Sequence, residues 1–152
     1  MRKILVLACL GLFLVLCSSC NDRTLKDLEK ASGKVAGEDW GFQGGNAYFG
    51  LSDVTIILMN FETSNPCGVL NPSSPYIKFT VPAAIGTYNI PFATPAKSVK
   101  FYEGSSSAKN YSSTSGFIQI VSVNDFTVDG LIQASFDDEN DVVGAFFVTS
   151  CN

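Results

Sequence analysis

A chain of 152 residues with 10 basic and 14 acidic side chains carries a net charge of −4, the wrong sign for holding nucleic acid or anionic lipid on a basic patch. It contains no histidine, which removes the Ser-His-Asp and Cys-His nucleophilic arrangements and the usual zinc hydrolase sites. The length suffices for one domain around a single core.

The chain opens on Arg2 and Lys3, followed by an apolar run from Ile4 to Leu16. A spanning helix needs roughly 18 or more apolar residues, so this run has signal-peptide length. Leu16-Cys17-Ser18-Ser19-Cys20 then resembles a bacterial lipobox, in which small residues precede a thiol that receives diacylglycerol and becomes the mature amino terminus. Bulky Leu16 makes Cys17 the poorer acceptor. The expectation is a lipoprotein signal peptide over residues 1–19 and lipid attachment at Cys20. Asn21 rather than Asp follows the cysteine, so the inner-membrane retention signal is missing. The expected localisation is therefore the outer membrane, lipid-anchored, on its periplasmic or external side. Residues 20–33 read as the lipidated cysteine and a polar tether, with Leu25 and Leu28 its only large apolar side chains.

From Lys34 to Asn152 the signals are those of strands: alternation, β-branched and aromatic residues, and Gly/Pro/Asn/Ser punctuation. Val35 and Trp40 flank Gly37 in a first hairpin. Gly44-Gly45-Asn46 reads as a tight turn between Phe42 and Ala47–Phe49. Val54–Phe61 is nearly all apolar, as a strand buried on both faces would be. Residues 62–75 hold three prolines and Cys67 and read as a loop. Ile77, Phe79 and Val81 share one face of the next strand and Lys78 and Thr80 the other, up to Pro82, which cannot donate to a ladder. Short strands follow over Gly86–Tyr88 and Ser98–Glu103, then a Ser-rich loop over Gly104–Ser115. Gly116–Val123, Phe126–Phe136 and Val142–Cys151, joined by short turns, imply an antiparallel meander. In its middle strand Phe126, Val128, Ile132, Ala134 and Phe136 are expected to face the core. The fold class is all-β: an antiparallel sandwich of about eight strands, with a small closed barrel as the alternative.

Cys9 and Cys17 leave with the leader and Cys20 takes lipid, so Cys67 and Cys151 remain. Two cysteines in an oxidising compartment predict one disulfide. Paired carboxylates are the one catalytic chemistry still open, with Glu38 and Asp39, or Asp137, Asp138, Glu139 and Asp141, as candidates for a glycan hydrolase. Acidic turns are more often only solvated, and the late cluster lacks the order of an EF-hand loop. No catalytic residue, metal ligand or cofactor is therefore assigned. Trp40 and Tyr48, near Phe42 and Phe49, are candidates for an aromatic glycan platform.

Several segments together carry a family resemblance: Gly33-Lys34-Val35-Ala36-Gly37-Glu38-Asp39-Trp40, Gly86-Thr87-Tyr88, Ser115-Gly116-Phe117-Ile118-Gln119-Ile120, Val128-Asp129-Gly130 and Val143-Gly144-Ala145-Phe146-Phe147. The chain resembles the small β-rich outer-membrane lipoproteins of Bacteroidota, a family with no established activity to carry onto residues. What the resemblance implies is an all-β domain held at the outer membrane. The reading is a non-enzymatic binding or accessory module, anchored in the membrane through its amino-terminal lipid. An envelope protein or a polysaccharide is the expected partner, and nucleic acid is not. The alternatives are a carboxylate-dependent glycan hydrolase and an inhibitor or immunity protein.

Overall fold

The computed structural model describes residues 28–92, 98–104 and 109–151, so the expected leader, Cys20 and most of the tether lie outside the described residues. In chain order the strands are β1 (Ser32–Val35), β2 (Glu38–Gly41), β3 (Gly44–Phe49), β4 (Asp53–Met59), β5 (Tyr76–Pro82), β6 (Gly86–Ile90), β7 (Lys100–Tyr102), β8 (Asn110–Ser112), β9 (Ser115–Val123), β10 (Thr127–Asp137) and β11 (Asn140–Cys151). Among the described residues helix is confined to a 3₁₀ turn at Pro66–Gly68, and none of their helices is long and apolar enough to cross a membrane.

The strands form one curled, open sheet in the order β6-β9-β10-β11-β3-β4-β5-β7-β8. Two-residue periodicity puts Ile77, Phe79 and Val81 of β5 on the same inner surface as Val128, Ile132 and Ala134 of β10. Curling brings these stripes together in a single core, where the Phe79 and Phe146 rings meet edge to face at 5.8 Å. The all-β, sandwich-like expectation is thus realised as one sheet folded on itself. The meander β9-β10-β11 is present with antiparallel register throughout, Ile118↔Ile132 and Leu131↔Ala145 among its pairs. The last residues of β11 pair in parallel with β3, Thr149↔Asn46 to Cys151↔Tyr48.

The β1–β2 hairpin packs its own strand β1 against β11. Its two turn residues both have positive φ, Ala36 at 55° and Gly37 at 83°, which is the twist-matched geometry for a two-residue hairpin. The turn is held from across the sheet: the Ala36 N–H donates to Oδ1 of buried Asn140 at 2.9 Å, and Gly37 N–H donates to the Glu139 carbonyl at 2.9 Å. Left-handed backbone costs a Cβ-bearing residue about 1–2 kcal/mol, more than the roughly 0.5–1 kcal/mol of added chain entropy glycine brings. Ala36→Gly is therefore expected to stabilise the fold by about 0.5–1 kcal/mol, measured as a higher urea midpoint. A lower midpoint would contradict the strain argument.

Several expectations are corrected. The Gly44-Gly45-Asn46 segment is part of β3 and not a turn; its glycine serves close packing, since a Cβ on Gly45 would collide with the Ile57 carbonyl and the Val148 side chain. The Ser-rich stretch expected as a loop contains strand β8, paired with β7. The folded domain begins before Lys34: Ala31 is fully buried, and Lys30 bridges to Ala145. Phe126 and Phe136 do not join the core. Phe126 sits in the β9–β10 turn at 80% exposure, and Phe136 is 42% exposed beside Tyr111, at the register shift between Ser135 and Asp137.

Candidate functional site

The second face of β4 explains why that strand is apolar throughout. Ile56 and Leu58 point into the main core, while Ile57 and Met59 join Tyr76 in a smaller cluster on the outside of the sheet. Residues 60–75 fold over this cluster and bring Phe61 and Val69 onto it. Buried Asn46 holds the loop from beneath, its Nδ2 donating to the carbonyls of Pro66 at 2.6 Å and Val69 at 2.8 Å. The Tyr48 hydroxyl donates to the Cys67 carbonyl at 2.6 Å. A disulfide joins Cys67 to Cys151, with Cα atoms 5.5 Å apart across a separation of 84 residues. The pairing expected from the cysteine count is therefore the one found, and it locks the loop onto β11.

Beyond the covered part, the outer face stays open. β5 and β7 pair in the register Tyr76↔Tyr102, Ile77↔Phe101, Lys78↔Lys100. Parity therefore sends both tyrosines and both lysines to the outside. The Tyr76 and Tyr102 rings stack in parallel, 4.5 Å apart with 1° between planes. Burial pushes both phenols above their ordinary value of 10.0, with Tyr102 adding to the effect at Tyr76, so both are neutral donors at physiological pH. Lys78 and Lys100 lie directly opposite one another, and like charges in that relation are destabilising. Among the described residues neither has a carboxylate within 4.0 Å. Lys109 makes the contrast: its ammonium lies 3.0 Å from Glu103 and 5.0 Å from the Tyr111 ring centre. Its pKa is pushed up to about 12 by hydrogen bonding to Tyr111 and then by Glu103.

A depression of about 150 Å³ lies between these side chains, lined by Lys78, Thr80, Ser98, Lys100 and Tyr102. The Thr80 hydroxyl is hydrogen-bonded to that of Thr55 at 2.8 Å, extending the polar surface onto β4. The depression is smaller than the roughly 300–1,000 Å³ of a drug-sized pocket. It has room for one charged substituent or ring of a longer molecule lying across the strands. Elsewhere, an apolar groove of about 370 Å³ runs over the outside of the meander between Leu28, Phe117, Leu131 and Val143.

The residues singled out from the sequence fall differently. Trp40 is 3% exposed and part of the core, with its indole N–H donating to the Pro75 carbonyl at 3.0 Å. Tyr48 is on the outer face but turned to the loop it holds. The two do not form a platform; among the described residues the stacked rings are Tyr76 and Tyr102, brought together by strand pairing that local sequence does not reveal. Glu38 and Asp39 are consecutive on β2, hence on opposite faces. Asp137 Oδ1 accepts from the Glu139 N–H at 3.1 Å and from Asn140 Nδ2 at 2.9 Å, so this carboxylate organises the β10–β11 turn. Among the described residues no three Asp, Glu, Cys or His side chains converge as a metal site would require. Alternation had placed Lys78 on the outer face, but its partner Lys100 depends on β5 pairing with β7 and skipping β6.

Comparison of the chain with known family models, curated proteins and solved structures yields no match.

Proposed function

We propose that this chain is an outer-membrane lipoprotein, anchored through Cys20, whose β domain is a non-enzymatic binding module for an anionic polysaccharide. The observation that carries the binding part is the lysine couple at Lys78 and Lys100 beside the Tyr102 ring, with no carboxylate partner among the described residues. Two lysines set opposite each other on neighbouring strands destabilise the pairing, and a bridging anion relieves this. A carboxylate or sulfate does so through charge-assisted hydrogen bonds, while the aromatic ring and the Thr80 and Ser98 hydroxyls suit the body of a sugar. The open sheet surface fits a polymer better than a small enclosed substrate.

Binding is tested with the full chain in nonionic detergent against polygalacturonate, dextran sulfate and neutral dextran. Lys78→Gln with Lys100→Gln is expected to weaken binding of the acidic polymers about tenfold or more, the value of one charge-assisted contact or better. Lys34→Gln, a lysine flanked in register by Asp39 and Asp141, is the control and should leave affinity unchanged. Which acidic polymer binds distinguishes carboxylate from sulfate. Absence of binding to both, or equal binding by the double variant, would sink the assignment.

The anchor rests on the leader and on the small residues before Cys20. Radiolabelled palmitate is expected to enter the protein in bacteria and to be lost in Cys20→Ala. Label retained in that variant would falsify the attachment site.

A further inference from the structure

Large apolar side chains stand fully out in solvent at the turns of one end of the sandwich. Leu51, in the β3–β4 turn, is 109% exposed relative to its reference; Ile85, in the β5–β6 turn, is 72% exposed and Phe126, in the β9–β10 turn, 80%. Scattered exposed residues need no explanation, but these three are neighbours by topology. Asp53↔Pro82 and the bond from Ala83 N–H to the Ser52 carbonyl put the β3–β4 turn against the β5–β6 turn. Gly86↔Ile120 brings the β6 start to the end of β9, from which the Phe126 turn springs. Phe49, just before the Leu51 turn, lines a small hollow together with Asn124 and Asp125 of that turn.

The amino-terminal segment runs toward this same end. Followed backwards, the chain passes from Ser32↔Val143 through Lys30↔Ala145 to Leu28, partway along the meander, where it lines one hollow with Thr127 and Phe147 and another with Phe117 and Val143. Only residues 21–27 separate Leu28 from Cys20, a span of at most about 30 Å when fully drawn out. The opposite end, where the Trp40 indole is tied to Pro75, exposes its apolar residues less fully among the described residues: Val143, Leu70 and Phe136 are 59%, 56% and 42% exposed.

We infer that the Leu51, Ile85 and Phe126 turns enter the interfacial layer of a lipid bilayer, making this end a second membrane contact beside the acyl chain. The inference rests on the reading of Cys20 as the lipid-bearing residue. Leucine, isoleucine and phenylalanine gain from leaving water in proportion to buried apolar area, and aromatic rings favour the headgroup level. The turns carry little positive charge and Asp125 sits among them, so contact with zwitterionic lipid is favoured over anionic lipid. Seated this way, the strands stand up from the membrane, and the Lys78–Lys100 face opens sideways.

The test uses the acylated full chain in phosphatidylcholine vesicles containing brominated acyl chains. Phe126→Trp places a reporter at the tip, Phe136→Trp one near the far end of β10, and Trp40 is a buried background common to both. The tip reporter is expected to shift to shorter wavelength and be quenched at least twofold more than the far one. Leu51→Ser with Ile85→Ser should reduce that quenching while leaving the thermal melt of the soluble domain unaltered, since both side chains are exposed. Palmitate incorporation is measured on the same samples. Label present with equal quenching of the two reporters overturns the inference alone and leaves the end to a protein partner. Label absent overturns the anchor and the inference with it.

Discussion

Replacing Cys67 and Cys151 together with serine is expected to lower the free energy of unfolding by about 4–5 kcal/mol, the chain-entropy value for a loop of this size. The bridge spans 84 residues and ties the last strand to the loop over the outer cluster. Without it the unfolded chain gains the freedom of the closed loop, residues 67–151 with β5 to β11, while the folded form keeps the Asn46 and Tyr48 hydrogen bonds to the covering loop. The native fold should therefore persist in the variant, only less stably. Urea titration provides the measurement, with a lower midpoint and a larger m-value as the unfolded state expands. Reductant added to the unmodified protein should reproduce both changes. A midpoint shift worth less than about 1 kcal/mol would show that the loop closure contributes little.

A comparable loss is expected from Phe146→Ala, about 3–5 kcal/mol for emptying a buried aromatic site. Phe146 is fully buried on β11, and its edge-to-face partner Phe79 comes from β5 on the other half of the curled sheet. Removing the ring deletes apolar area and also the contact between halves, with a cavity that neighbouring strands cannot close by small shifts. Phe136→Ala is the internal comparison. At 42% exposure it should cost less than about 1.5 kcal/mol, because much of its area never left water. Equal midpoints for the two variants would contradict this placement of the core.

The contrast between these phenylalanines shows what was readable in the residues alone. Period-two alternation reports parity, and in β5 and the middle of β10 parity sufficed to sort core from surface. It fails where pairing itself breaks down. The register shift between Ser135 and Asp137 puts Phe136 off the regular ladder, and a turn holds Phe126; neither event leaves a mark in the pattern of apolar residues. Continuous hydrophobicity in β4 correctly announced burial on two sides, although the second covering turned out to be a pinned loop. The cysteine pair was legible because the expected leader and lipid attachment leave only Cys67 and Cys151 to meet. The lysine couple was not, since it depends on which distant strand lies beside β5, and local sequence is silent on that. Gly45 misled for a related reason: a glycine needed for close approach of a neighbouring strand looks the same as one needed for a turn.

Among the described residues the sheet does not close, and this bears on how copies of the protein meet. Among the described residues β2, β6 and β8 each have a neighbour on one side only, leaving rims that invite lateral zippering between copies. Each rim is blunted in its own way: β2 by consecutive Glu38 and Asp39, β6 by the donor-less Pro91 that follows it, β8 by its three-residue length. On the proposed anchoring through Cys20, molecules held in two dimensions would meet far more often than in solution, and such guarded rims would keep a dense lawn of them from knitting into fibrils.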